Sequence, residues 1–253
     1  MSTAPEHYDR LLAAHYTWML GGDVPALAAA QAALLAGLGV EPGAAGRTAV
    51  DLGAGPGTQT LALAALGFDP VLAVDTSAPL LAELRESADK AGYAGAVRTV
   101  EADLRGALPR HTGPGTVAAV LCMGDTLTHL PTRADVAALL HDAADALAPG
   151  GRLVLSFRDL TRPLTGTDRF LPVRATADRI MTCFLEYPDG ETALVHDLVH
   201  TRAGEGWTQQ VSSYPKLRLA TGWVAEQVRA AGLEVSHDET GARGLHVLAA
   251  VRP

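Results

Sequence analysis

From residue 48 to 157 short apolar runs alternate with stretches of helical periodicity, the pattern of a parallel sheet covered by helices on both faces. The spacing predicts strands near 48–52, 71–75, 97–101, 117–122 and 151–157, with helices near 58–66, 77–91 and 133–147. Pro149-Gly150-Gly151 stops the last of these. Ahead of this core, residues 7–20 place apolar and aromatic side chains three and four apart, which predicts an amphipathic helix. Gly21-Gly22-Asp23 breaks it, a second helix runs from Pro25 through Leu38, and Glu41-Pro42-Gly43 ends that one. Beyond Phe157 the period changes. Three β-rich stretches follow at 179–187, 192–201 and 207–214, the first two separated by the turn signal Pro188-Asp189-Gly190. A helix over 222–231, stopped by Gly232, and strands near 233–238 and 245–251 then resume the core.

These elements predict one α/β domain over residues 1–253, a doubly wound, Rossmann-like, seven-stranded sheet. Residues 1–45 form a helical lid, 46–157 and 220–253 the core, and 158–219 an antiparallel β insertion after the fifth strand that caps the substrate site. A chain of 253 residues with 48% hydrophobic content can bury one substantial core. The formal net charge of −8 and the lack of any Lys/Arg run argue against a nucleic-acid partner. The longest apolar stretch, 26–38, is interrupted by Gln31 and too short to span a bilayer, and neither end has the pattern of a targeting signal. A soluble, cytoplasmic protein with a small-molecule partner and no membrane association is therefore expected, with room for self-association into a homo-oligomer. Cys122 and Cys183 are the only cysteines and suggest buried thiols rather than a disulfide framework.

The chemistry centres on Val50-Asp51-Leu52-Gly53-Ala54-Gly55-Pro56-Gly57-Thr58, a buried strand entering a tight glycine loop with an acid at the junction. Asp75 ends the second strand, where a carboxylate can hold a ribose diol, and Asp103 repeats the arrangement after the third. No lysine follows the glycines, which argues against a Walker loop for ATP. The D-x-G-x-G-x-G spacing also differs from the G-x-G-x-x-G of dinucleotide folds, and Asp51, expected to point into the site, would repel a pyrophosphate. S-adenosylmethionine is cationic and phosphate-free, and suits such a cleft. The loop resembles motif I of the class I S-adenosylmethionine-dependent methyltransferases. That resemblance implies a donor site built from Trp18, Asp51, Gly53, Ala54, Gly55, Gly57, Asp75, Thr76, Ala102, Asp103, Leu104, Cys122 and Met123.

His196-Asp197-Leu198-Val199-His200 superficially suggests a zinc motif, but its flanks favour a strand, in which the two histidines lie ~13 Å apart and do not chelate one ion. No metal is expected. The run Cys122-Met123-Gly124-Asp125-Thr126-Leu127-Thr128-His129-Leu130-Pro131 is similar to the Cys-x-Gly-Asn-Ser-x-x-His-Leu-Pro segment of the glycine N-methyltransferases and related small-molecule N-methyltransferases. Three more segments extend the resemblance: Tyr8 ahead of Gly22-Asp23, Phe157-Arg158-Asp159-Leu160 against the family's His-Arg-Asn-Tyr, and Ser213-Tyr214-Pro215 against its Tyr-Tyr-Pro. By carry-over, Tyr8, Asp125, His129, Arg158 and Tyr214 line the acceptor pocket. Tyr8, Asp125 and His129 take the catalytic roles, and Arg158 faces an anionic group. The expected acceptor is a nitrogen of a small polar molecule, an amine, amino acid or imidazole, and because the family's asparagine is Asp125 here it shifts from glycine towards an amine or imidazole. An internal ion pair of Arg158 with Asp125 or Asp159 is a second account of that arginine. O- or C-methylation of a secondary metabolite, with His129 as base, stays open beside N-methylation, as does a non-catalytic donor-binding regulator.

Overall fold

A computed structural model describes residues 3–241 and 244–253. Its core is a seven-stranded sheet in the order β10-β11-β5-β4-β1-β2-β3, built from β1 (Ala49–Leu52), β2 (Val71–Asp75), β3 (Val97–Glu101), β4 (Val117–Cys122), β5 (Leu147–Arg158), β10 (Glu234–Thr240) and β11 (Leu245–Val251). The first five run parallel, and β11 is antiparallel to both its neighbours, β5 and β10. Every residue of β1 and β4 is buried, which is why both read as unbroken apolar runs rather than as alternation. The order reverses between β1 and β4, so the crevice beyond their carboxyl ends is where an open α/β sheet takes a ligand.

The helices α4 (Thr58–Ala65), α5 (Ala78–Lys90), α7 (Arg133–Ala146) and α8 (Thr221–Ala230) lie close to their predicted places. A short α6 (Ala107–His111) was not predicted; five residues carry too little periodicity to register. The fifth strand begins at Leu147, four residues early, because the Pro149-Gly150 turn sits inside it as a register shift between Val117 and Ala119 of the partner strand.

The N-terminal segment starts at Ala4 rather than residue 7, since Thr3 and Glu6 form a reciprocal capping box for α1 (Ala4–His7). A π-helical turn over Tyr8–Leu12 leads into α2 (Ala13–Leu20), and Asp23 caps α3 (Val24–Gly37) through the Ala26 N–H at 2.9 Å. The insertion forms a separate antiparallel sheet, β6-β7-β8-β9. Three of its strands were foreseen: β7 (Arg179–Glu186), β8 (Thr192–Ala203) and β9 (Gly206–Leu217). The fourth, β6 (Phe170–Ala175), is an edge strand holding Pro172 with almost no burial, so no alternation marked it.

His7 and Trp18 are among the side chains that tie the N-terminal segment to this second sheet. Buried His7 pairs through Nε2 with buried Asp197 at 2.8 Å, and the Cys183 thiol donates to the other Asp197 oxygen at 2.8 Å. Trp18 lies against the Arg174 and Arg179 guanidiniums, 5.6 and 5.0 Å from its ring. A further tie, from the Thr17 hydroxyl to Glu83 at 2.5 Å, reaches α5 in the core.

Candidate active site

The crevice at the switch point opens into a cavity of about 420 Å³, walled by the glycine loop, the ends of β2 and β3, the segment after β4, the N-terminal lid and the end of β9. Of the residues expected from sequence, Tyr8, Gly53, Gly55, Asp75, Thr76, Ala102, Asp103, Leu104 and His129 line it. Asp75 is held in place by its loop: one carboxylate oxygen accepts from the Gly55 N–H and the other from the Ser77 N–H, each at 2.8 Å. Burial raises its carboxyl above the ordinary value, against the pull of those N–H groups. Asp103 behaves in the opposite way. Its bond to the Arg105 side chain pulls it below the usual range, and the pair sits exposed at the cavity edge.

Six expected donor residues stand elsewhere, each for a physical reason. Asp51 does not face the crevice: it is 1% exposed, beneath the loop, and accepts the Thr60 hydroxyl of α4 at 2.6 Å. Gly57 is the N-cap of α4 at φ 99°, and an added Cβ would meet Leu84 at 2.7 Å, so its missing side chain serves helix packing rather than a ligand. Ala54, Cys122 and Met123 are core residues, with the Cys122 thiol pushed up by burial. Trp18 faces its two arginines outside the cavity.

Burial pushes the Asp51 carboxyl up to about 7, with Asp75 adding to the shift and Thr60 opposing it. The unfolded chain releases this proton near pH 4, so folding binds a proton between about pH 4 and 7 and stability falls as pH rises through that window, by a few kcal/mol. Asp51→Asn keeps an acceptor for Thr60 without the charge. The melting temperature of the variant relative to wild type should climb between pH 5 and pH 8; a difference independent of pH would contradict a neutral buried acid.

The acceptor side is built on the segment after β4. Ser156 of β5 anchors it, its hydroxyl accepting from the Gly124 N–H at 2.8 Å and its carbonyl from the Asp125 N–H at 3.1 Å. Asp125 there takes φ 74°, a conformation that Asp tolerates better than most residues. Its carboxylate accepts the Arg158 N–H at 2.8 Å, the Arg158 guanidinium, and Lys216 Nζ at 3.2 Å. Burial alone would raise this carboxyl, but Lys216 and then Arg158 hold it well below the usual carboxylate range. Arg158 is thus in the ion pair with Asp125, outside the cavity lining, and does not stand free for an acceptor anion.

Lys216, not among the residues expected from sequence, also lines the cavity, as do Tyr16 and Thr126. Their signals were present: Lys216 lies two residues from Tyr214 on one strand face, and Tyr16 lies in the helix that carries Tyr8. Tyr8 packs between Tyr16 and His129, with centroids 5.6 and 5.9 Å away. Tyr214 is buried behind His129 at 5.4 Å and stacks on His7 at 4.2 Å. Burial first, then Lys216, lowers the His129 imidazole to about 3, so the ring is neutral, and its Nε2 has no hydrogen-bond partner among the described residues. Burial also pushes all three phenols up, Tyr16 to about 12.

Residues 49–151 match the family described as "Methyltransferase domain". Over that stretch the chain is similar to a methyltransferase domain. It is 34% identical over 144 residues to a ubiquinone biosynthesis O-methyltransferase of Methylococcus capsulatus, a match covering 56% of each chain. It is also 36% identical over 110 residues to a glycine/sarcosine N-methyltransferase of Halorhodospira halochloris, covering 44% of this chain and 39% of that one. The chain therefore spans about half or less of these curated relatives. In fold the chain is similar to an S-adenosylmethionine-dependent methyltransferase from Clostridium acetobutylicum at a TM-score of 0.72 and 14% identity, covering 98% of this chain and 96% of the other.

S-adenosylmethionine is the cofactor of this class, and the residues present fit it. The crevice offers the Asp75 and Asp103 carboxylates and the bare backbone of Gly55, while no cation lies in the glycine loop to call for a phosphate.

Proposed function

We propose that this protein transfers the methyl group of S-adenosylmethionine to a nitrogen of a small polar molecule, an amine or imidazole. Bound in the crevice, the donor supplies a methyl group on a sulfonium, open to in-line displacement. Asp75 and Asp103 line the nucleoside side, and Tyr8 and Tyr16 line the same cavity, with Tyr8 packed against His129. The observation that carries the choice of nitrogen is the lack of a base on the acceptor side among the described residues. His129 is pushed to about 3, the Tyr8, Tyr16 and Tyr214 phenols stay protonated, and Asp125 is held ionised between two cations. Such a wall positions an acceptor and excludes water but removes no proton from a hydroxyl, so it suits a nucleophile that arrives with its lone pair uncovered. A relative named as a glycine/sarcosine N-methyltransferase agrees with this reading.

One observation favours O-methylation instead: the match to a relative named as an O-methyltransferase. Both readings meet in one measurement. Release of S-adenosylhomocysteine, followed over a panel of amines, amino acids, imidazoles and phenols at pH 8, should appear with nitrogen acceptors and not with phenols. Turnover confined to phenols would reverse the assignment, and none across the panel would remove it.

A further inference from the structure

Lys216 is the one cationic side chain among the described residues that the fold places in the acceptor wall of the cavity. It stands on β9 two residues beyond buried Tyr214, with Nζ 5.8 Å from that ring. Its ion-pair partner, Asp125, is already engaged by Arg158 through both the backbone N–H and the guanidinium. One carboxylate therefore answers two cations. Arg158 turns a half-exposed guanidinium towards solvent, where water and salt screen it, whereas the Lys216 side chain is only 12% exposed. The unbalanced charge is thus felt on the cavity side, in a wall that sets Leu130, Pro131, Pro215 and Leu217 beside the uncharged Thr126, Thr192 and His129, where the effective dielectric is below that of water.

The neighbouring groups leave this field uncancelled. From the turn after β4 comes His129, neutral; from the lid, Tyr8 and Tyr16, protonated, and His7, paired with Asp197 of β8; from β7, Cys183, whose buried thiol stays protonated and donates to Asp197. Asp75 belongs to the donor side, bound to its own loop. His129 is itself a nitrogen base in this wall, and at its ring the effect of Lys216 exceeds the opposing one of Asp125.

We propose that Lys216 selects the acceptor in its free-base form: its ammonium in the cavity wall repels a protonated amine or imidazolium and admits the same nitrogen with its lone pair uncovered. The proposal rests on the nitrogen-acceptor reading above. It assigns to the wall the step for which no general base is present, since the proton is left in solvent before the acceptor enters rather than removed inside.

The test uses imidazole as the probe, titrated by calorimetry into full-length protein saturated with S-adenosylhomocysteine, which lacks the donor's sulfonium charge. Imidazole loses its proton near neutrality, so affinity should rise about tenfold from pH 5.5 to 7.5 in wild type and in Lys216→Arg. In Lys216→Met, and in Lys216→Gln should the first variant fold poorly, the rise should shrink to about threefold or less, because the cation is then tolerated. Equal affinity at both pH values in wild type, no imidazole binding at either, or an unchanged pH dependence in the uncharged variants would each overturn the proposal. A second readout needs no ligand: the His129 ring, followed by NMR, should titrate at higher pH in Lys216→Met than in wild type, and an unmoved titration counts against it. If nitrogen acceptors are never turned over while the pH dependence of imidazole binding holds, the reaction class fails and the selection by Lys216 stands.

Discussion

Gly55→Val should abolish detectable binding of S-adenosylhomocysteine, with a loss of at least about 100-fold by calorimetry, a figure set by two effects acting together. Gly55 sits at φ 52°, where a β-branched residue is strained by about 1–2 kcal/mol or more. Relaxing that strain moves the N–H that holds the Asp75 carboxylate at 2.8 Å. An added Cβ lies 3.6 Å from the Tyr16 ring, in ordinary contact, so the first carbon is accommodated and the branch beyond it occupies the crevice. Gly55→Ala should accordingly fall between wild type and valine. Wild-type affinity in the valine variant would show that the glycine loop does not carry the donor.

Asp125→Ala should lower the melting temperature by about 10 °C at pH 7. Removing one partner of a buried ion pair costs about 3–5 kcal/mol, and a chain of this size loses roughly 2–4 °C per kcal/mol. The alanine leaves Lys216 without its ion-pair partner and also takes on the positive φ that Asp tolerates. Asp125→Asn keeps an acceptor for the Arg158 N–H and should lose less. The pH dependence has a definite sign. Because the folded carboxyl lies below its unfolded value, the stabilisation from Asp125 is complete above about pH 4 and is lost as the pH falls through the folded value. The gap between wild type and Asp125→Ala should therefore close in acid. A drop of less than about 2 °C at pH 7 would show that the two cations find other partners.

The core was legible because its strands are buried on both faces and its helices are amphipathic, so burial alone wrote the pattern that β1, β2, β4 and α5 display. What escaped notice lacked burial or length. Strand β6 is exposed along nearly all of its six residues, and α6 is a single turn. In the site, residue types were easier to read than directions. Asp51 carries the acid expected of the motif, yet the strand's alternation turns it down onto Thr60, away from the crevice. Arg158 and Asp125 were both expected at the acceptor, but only the fold shows them spending their charges on each other, with Lys216 left as the cation in the wall. Such a pairing joins residues 33 and 91 positions apart, beyond any local pattern.

The π-helical turn at Tyr8–Leu12 has a consequence for the aromatic side of the cavity. Eight residues of regular helix, at 3.6 per turn, would leave the Tyr8 and Tyr16 side chains about 80° out of phase. One residue looped out within the wide turn makes the effective separation seven, about 20° from alignment, and the rings meet at 5.6 Å. Their pairing is thus a matter of register rather than composition: shortening the turn by one residue would preserve it in a regular helix, whereas lengthening it would rotate the two hydroxyls apart.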